Sequence, residues 1–263
     1  MRIVTWNINS INCRLEHVLA LMDQFSPDVI LLQEIKKITE EFPCEPFFDK
    51  GYNCAAHGQK SYNGVAILSK SPISDMKTKF CDQICTEARY AECITNKVRI
   101  ASVYVPNGRE VGTSQYVQKI NFMKSLSGYL EKEVSSDECF IIGGDFNVAL
   151  NDDDVWDPGL FEGKLVFTGE ERASLRRIES LGLTDAFAVC NRHLTDNNAL
   201  HENFTWWDYR AGSFNKNQGI RLDYLFLSDV AARKLVRSEV IKGFRALPCP
   251  SDHAPLLADI GHF

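Results

Sequence analysis

Six sets of polar residues stand where apolar runs stop. Arg2-Ile3-Val4-Thr5-Trp6 runs into Asn7, and Val29-Ile30-Leu31-Leu32 runs into Gln33 and Glu34. The stretch 98–103 ends in Tyr104, and Cys139-Phe140-Ile141-Ile142 leads into Gly143-Gly144-Asp145-Phe146-Asn147. Asp223 abuts Tyr224-Leu225-Phe226-Leu227, and Ser251-Asp252-His253 precedes the last apolar run. Burying an ionisable group is costly unless it is paired or bound to a metal. Any one of these residues alone reads as a loop or helix cap, a turn residue, or half of a structural pair. Together they gain meaning if their strands share one sheet edge, where loops present polar groups from a rigid base.

The residue types narrow the chemistry. Carboxylates with carboxamides, and no cysteine set among them, favour a hard oxygen-loving ion such as Mg²⁺, with Mn²⁺ as a substitute. A carboxylate beside a histidine orients the ring and raises its basicity. A protonated histidine, a tyrosine hydroxyl and asparagine amides all donate to an anionic oxygen. That inventory suits attack of water on a phosphodiester. No Gly-x-Ser-x-Gly elbow, Walker loop or dinucleotide fingerprint occurs.

The elements that must position these residues can be read in outline. Leu15, Val18, Leu19, Met22 and Phe25 follow helical spacing, so 13–25 is expected to be a helix stopped by Pro27. Tyr116, Val117, Ile120, Met123, Leu126 and Leu130 mark a second helix. Thr168 and Glu171 form a capping box that opens a third. Strands are expected at 52–57, 64–69, 89–95, 98–105, 139–142, 203–207, 221–227, 237–241 and 255–260. The strands at 89–95 and 98–105 are too close for a helical crossover, so antiparallel pairs must accompany any βαβ units. Helices outside a two-sheet sandwich would bury so many doubly apolar strands.

No repeat and no linker divides the 263 residues, so one domain over 1–263 is expected. The formal charge of −6 argues mildly against a partner bound through bulk positive charge. No run of about 18 apolar residues exists, so no membrane partner is expected. The N-terminus has no apolar segment of the signal-peptide type. Nine cysteines, an odd number and several inside apolar runs, fit free thiols in a reducing cytoplasm. Cys81 and Cys85 lack a second pair at zinc spacing.

The motifs also carry a resemblance. Thr5-Trp6-Asn7, Leu32-Gln33-Glu34, Asn63-Gly64-Val65-Ala66, Tyr104-Val105-Pro106-Asn107, Gly144-Asp145-Phe146-Asn147, Phe204-Thr205-Trp206-Trp207-Asp208-Tyr209-Arg210, Arg221-Leu222-Asp223-Tyr224 and Ser251-Asp252-His253-Ala254-Pro255 occur in the expected order. Over essentially the whole chain they resemble the exonuclease III / AP endonuclease family of DNA-repair enzymes, within the endonuclease/exonuclease/phosphatase fold. The resemblance implies an α/β protein, a four-layered α/β/β/α sandwich with two packed mixed β-sheets and the site at one edge. It implies that Glu34 is the principal metal ligand and that Asn7 helps hold the catalytic carboxylate. Asp145 would activate water, Asn147 and Tyr104 would contact the phosphate, and His253 would hold it, oriented by Asp223. Asp252 lies near the metal, and Asn9 supports it only as a neutral ligand or through water. The full set implied around the ion is Glu34, Asn7, Asn9, Asp145, Asn147, Asp252 and His253.

The aromatic and basic residues at 204–221 fit stacking on unpaired nucleotides with phosphate contacts. Under the resemblance, Trp206, Ile220 and Leu222 wall a pocket for an abasic sugar, with Ile220 where some members carry Trp. Arg109, Arg210, Lys216 and Arg221 form a basic rim. The run Asn151-Asp152-Asp153-Asp154 is expected to be solvated rather than a second metal site. The implied activity is Mg²⁺-dependent hydrolysis of duplex DNA by a cytoplasmic monomer. It acts at abasic sites, 3′ blocking groups or 3′ ends and leaves 3′-hydroxyls.

Overall fold

A computed structural model describes residues 1–262 except 83, 85, 136 and 192–202. The first half of the chain runs β1 (Arg2–Asn7), α1 (Ile11–Phe25), β2 (Val29–Gln33), α2 (Glu45–Phe48), β3 (Asn53–His57), β4 (Val65–Ser69), β5 (Ile73–Lys77), β6 (Tyr90–Thr95), β7 (Val98–Tyr104) and α3 (Ser114–Glu133). The second half runs β8 (Phe140–Asp145), α4 (Pro158–Phe161), α5 (Gly169–Ser180), β9 (Thr184–Asp185), α6 (Ala186–Asn191), β10 (Asp223–Leu227), α7 (Asp229–Ala232), β11 (Leu235–Val240) and β12 (Leu256–Ile260).

The strands form two mixed six-stranded sheets, ordered β11-β12-β1-β2-β4-β3 and β5-β6-β7-β8-β10-β9. Alternation along each strand decides the layering, because successive side chains point to opposite faces. Ile3, Val29, Leu31 and Ile67 of the first sheet meet Ile100, Ile141 and Leu225 of the second. Val4, Trp6, Ile30 and Leu32 face the other way, onto Val18, Leu21 and Met22 of α1. Ala101, Val103, Phe140 and Ile142 face out onto Phe122, Met123 and Leu126 of α3 and Leu175 and Ile178 of α5. This is the four-layered α/β/β/α sandwich. Doubly apolar runs such as 29–32 are strands covered on both faces.

The sheets approach closely just beneath the edge that carries the polar residues. A Cβ on Gly143 would stand 2.6 Å from Leu225 and 2.8 Å from Leu31 of the facing sheet. Any side chain there would prise the layers apart below the site.

Most expected elements are present, with shifted ends. The Thr168–Glu171 capping box opens α5 as read. The stretch 203–207 is not a strand, because Trp206 makes only single bridges, to Ile220 and to His253. The edge strand β5 was not anticipated. Its exposed residues lack apolar alternation, so it carries no strand signal in sequence. No helix among the described residues is long and apolar enough to cross a membrane. Cys85 lies outside the described residues.

Candidate active site

The pairing of the strands delivers the polar residues to one edge. β1 pairs β2 in parallel and β7 pairs β8 in parallel, so Asn7, Gln33, Tyr104 and Asp145 all emerge at carboxyl ends. β10 runs antiparallel to β8 with Asp223 opposite Asp145. β12 is antiparallel to β1, so the residues entering it, Asp252 and His253, arrive at the same edge. Below them Gln33 donates to Thr5 Oγ1 at 3.1 Å and to Ser102 Oγ at 3.0 Å, tying the two sheets together.

Asn7 is fully buried, and its amide donates to Glu34 Oε1 and to Asp145 Oδ2, both at 2.9 Å. One carboxamide therefore sets the spacing of two carboxylates. Asp145 Oδ1 accepts the Asn147 backbone N–H at 2.9 Å. Asn147 turns the chain with a φ of +52° and donates its side-chain amide to the Val105 carbonyl at 2.9 Å. His253 Nδ1 lies 2.7 Å from Asp223 Oδ2, and its Nε2 lies 3.6 Å from Asp145 Oδ2.

Burial raises the Asp145 carboxyl to about 7, opposed by the neighbouring His253. Burial would lower His253, but the Asp223 and Asp145 carboxylates outweigh it and carry the imidazole up to about 10. Asp223 Oδ1 has no hydrogen-bond partner among the described residues, so its charge is left to support the imidazolium. Asp252 is held below its ordinary value: burial opposes this, but His253, the Trp206 indole and Asn9 prevail. Burial, with Glu34 and Asp145 nearby, raises Tyr104 well above its ordinary value, which keeps it a neutral hydroxyl donor.

The donor set fits a hard cation. Glu34 Oε2 and Asn9 Oδ1 converge on the Lys36 ammonium, the former at 2.9 Å. Asn9 in turn donates to Asp252 Oδ1 at 2.9 Å. Oxygen atoms of carboxylates and carboxamides gathered around one positive charge are what Mg²⁺ takes. Asp145, Asp223 and His253 also bring ligand atoms within 4.8 Å of one another. There, however, the charged ring spends its Nδ1 proton on Asp223 and offers no lone pair.

These groups floor a cavity of about 490 Å³. Glu34, Tyr104, Asp145, Asn147, Asp252 and His253 supply one side, and Trp206, Ile220, Leu222, Trp156, Phe161 and Val166 supply an apolar wall. Trp206 is fixed by its indole N–H, which donates to Asp252 Oδ2 at 3.0 Å. Of the expected site residues, Asn7 lies beneath this floor, Asp223 behind His253 and Asn9 at the margin.

Of three expected basic contacts, one falls elsewhere and two are exposed at the surface. Arg221 is not on the rim. It is 2% exposed, with Nε 2.6 Å from Asp154 Oδ1 and Nη1 2.6 Å from Asp185 Oδ2. Its guanidinium lies 4.3 Å from the Tyr224 ring centroid. This also removes Asp154 from the expected solvated acidic run, since it is buried in that pair. Arg210 is exposed but chelated by Asp208. Arg109 is exposed and lines a neighbouring cavity of about 500 Å³ that shares Tyr104 and Asn107 with this one. Within 204–209, Phe204 and Trp207 are core, and Trp206 alone of the aromatics lines the cavity.

Lys36 and Asn107 were not anticipated. Asn107 donates to Asn147 Oδ1 at 3.2 Å. Lys36 lies two residues after Glu34 and Asn107 closes the Tyr104–Asn107 motif, which is the signal that could have found them.

Known proteins resemble this chain over nearly its whole length. The profile described as the Endonuclease/Exonuclease/phosphatase family matches residues 4–253. Exodeoxyribonuclease III of Haemophilus influenzae is 32% identical over 274 residues, covering 98% of this chain and 99% of that protein. The Neisseria 3′ phosphatase NExo, solved with a product DNA hairpin, superposes with a TM-score of 0.93 at 32% identity over 99% of both chains. An AP endonuclease from Archaeoglobus fulgidus gives a TM-score of 0.93 at 29% identity, again over 99% of both chains.

Proposed function

The chain belongs to the endonuclease/exonuclease/phosphatase family as a hydrolase of the exodeoxyribonuclease III / AP endonuclease type, and from that premise we propose a Mg²⁺-dependent nuclease of base excision repair. It acts on duplex DNA in the cytoplasm at abasic sites, 3′ blocking groups and 3′ ends, as a single domain. The observation that carries this reading is one cavity with two unlike sides. A buried carboxylate and a charged histidine stand on one side, and an aromatic and aliphatic wall stands on the other.

In this reading Glu34 would hold Mg²⁺ with oxygen atoms of Asn9, Asp145, Asn147 and Asp252 near it, Asn7 would hold the carboxylates from beneath, and His253 would face the phosphate. When bound, the ion neutralises charge that develops on the phosphate oxygens. Asp145, held by Asn7, takes a proton from the attacking water. The new bond forms between water oxygen and phosphorus. The bond to the leaving oxygen breaks, and at an abasic site that oxygen departs as an alkoxide that takes a proton from solvent water to become the 3′-hydroxyl. His253, kept protonated by Asp223, donates to the phosphate oxygen, and Tyr104 and Asn147 add neutral donors. Trp206, Ile220 and Leu222 take the base-less sugar. Arg109, Arg210 and Lys216 supply local positive charge on an acidic body. Binding is therefore expected to weaken steeply with salt.

The test is cleavage of three labelled duplexes in Mg²⁺: an internal abasic analogue, a 3′-phosphate end and an undamaged recessed 3′ end. Metal-dependent cleavage of at least one is expected. No cleavage of any overturns the reading.

A further inference from the structure

Besides Glu34, two residues that line the cavity hold a backbone conformation that side chains rarely adopt. Asn147, in the turn after Asp145, has a φ of +52°, and Val166, in the apolar wall, has a φ of +69°. For a β-branched residue this is a strained state, which persists only where its surroundings over-determine it. The same buried ion pair holds both. The Lys119 ammonium of α3 donates to the Asn147 carbonyl at 2.7 Å and pairs with Glu171 of α5. Glu171 Oε1 also accepts the Val166 N–H at 3.1 Å, and the Val166 carbonyl accepts the Ala149 N–H at 2.8 Å. Glu171 Oε2 closes the capping box with Thr168 at 3.0 Å. Lys119 and Glu171 are both 0% exposed, and neither lines the cavity.

A single structural ion pair in this position is hard to justify by stability alone. Desolvating two charges costs about as much as their attraction returns, and apolar replacements are often no less stable. What this pair does that an apolar contact could not is clamp two peptide groups. One presents Asn147 and, through the N–H bonded to Asp145 Oδ1, fixes the catalytic carboxylate. The other presents the wall that meets the substrate sugar.

We propose that Lys119 and Glu171 are positioning residues that hold the catalytic turn and the sugar-pocket wall in one register. Lys119 acts on turnover through Asn147, and Glu171 acts on substrate fit through Val166. This inference rests on the cavity being the DNA-cleaving site.

The test measures kcat and KM per folded molecule on the abasic and 3′-phosphate duplexes, well below each variant's unfolding temperature. Lys119→Met is expected to lower kcat about tenfold to a hundredfold on both, the scale of a small misplacement of reacting groups, with Lys119→Arg recovering most of it. Should Lys119→Met fail to fold, Lys119→Met/Glu171→Leu, which leaves no charge buried, takes its place. Glu171→Gln, which keeps the capping box, is expected to raise KM for the abasic duplex about tenfold while kcat stays within about threefold. Wild-type constants in both single variants overturn the inference, and so does a Glu171→Gln variant whose kcat falls while its KM is unchanged. A wild-type protein inactive on both duplexes overturns the proposed function itself and is read directly from the control.

Discussion

The molecule buries two clusters of the same make-up, a cation between two carboxylates. One is Asp145–His253–Asp223 at the cavity floor, and the other is Asp154–Arg221–Asp185 behind the wall. Arg221 has a carboxylate partner at every nitrogen: its planar fork meets Asp154 through Nε and Nη2 and Asp185 through Nη1, and its face lies on Tyr224. A guanidinium does not give up its proton, so this cluster holds one charge state. The floor cluster is built around an imidazole, which can. Its contact to Asp145 is a loose 3.6 Å, and Asp223 Oδ1 is unpartnered among the described residues. The difference teaches that reserve capacity marks chemistry here more than charge does. The cluster with slack is the one that opens onto substrate.

The sharpest way to separate the clusters is Asp145→Asn. It is nearly isosteric, and its one remaining oxygen can still accept from Asn7, but it loses the Asn147 N–H contact and cannot accept a proton. A fall in kcat of about 10³-fold or more is expected, with an unfolding temperature near wild type. An active Asp145→Asn protein breaks the distinction.

Arg221→Met should invert that pattern. It strands two buried carboxylates and is expected to cost about 3–5 kcal/mol in denaturant unfolding. Activity per molecule still folded should stay close to wild type. Loss of activity without loss of stability would place Arg221 in the site after all.

The pH response sharpens the comparison further. His253 is raised from 6.5 to about 10, so its contribution to stability is complete below about 6.5 and is lost as pH rises toward 10. Arg221 gives no such loss over that range. The alkaline limb of kcat/KM should follow His253. Asp223→Asn removes the charge that holds the proton, so the limb should move to lower pH. An unmoved limb in Asp223→Asn would detach His253 from it. The acid limb should lie above the ordinary carboxylate range, because burial raises Asp145 to about 7.

The smallest effect is expected at Arg210, which is exposed and already paired with Asp208. Arg210→Ala should weaken DNA binding less than about threefold and flatten the salt slope by no more than about one phosphate contact. A larger change, measured by anisotropy across a salt series, would make it a true anchor.

This contrast also shows what could be read from the chain. Glu34, Asp145, Asp223 and His253 were legible because each interrupts or ends an apolar run, where an ionisable residue is conspicuous. The sandwich was legible from doubly apolar strands and amphipathic helices. Arg221 misled because its neighbours Ile220 and Leu222 do line the cavity, whereas its partners lie 67 and 36 residues away in sequence. Lys119 was hidden for the same reason, since Glu171 is 52 residues off and in another helix. Long-range pairing leaves no local pattern, and the sign of a charge does not say which way its side chain faces.

The short ladder at Trp206 has a bearing on how such a site can change. Its backbone bridges Ile220 on one side and His253 on the other, while Ala254 N–H bonds to the Thr205 carbonyl at 2.7 Å. The apolar wall of the cavity and the loop that carries the histidine are thus one piece of framework. Side chains at 206, 220 and 222 shape the cavity from that shared backbone. An insertion that moved the ladder would carry the histidine with it. The cavity can therefore change shape through side chains, while changes in loop length there are nearly closed to it.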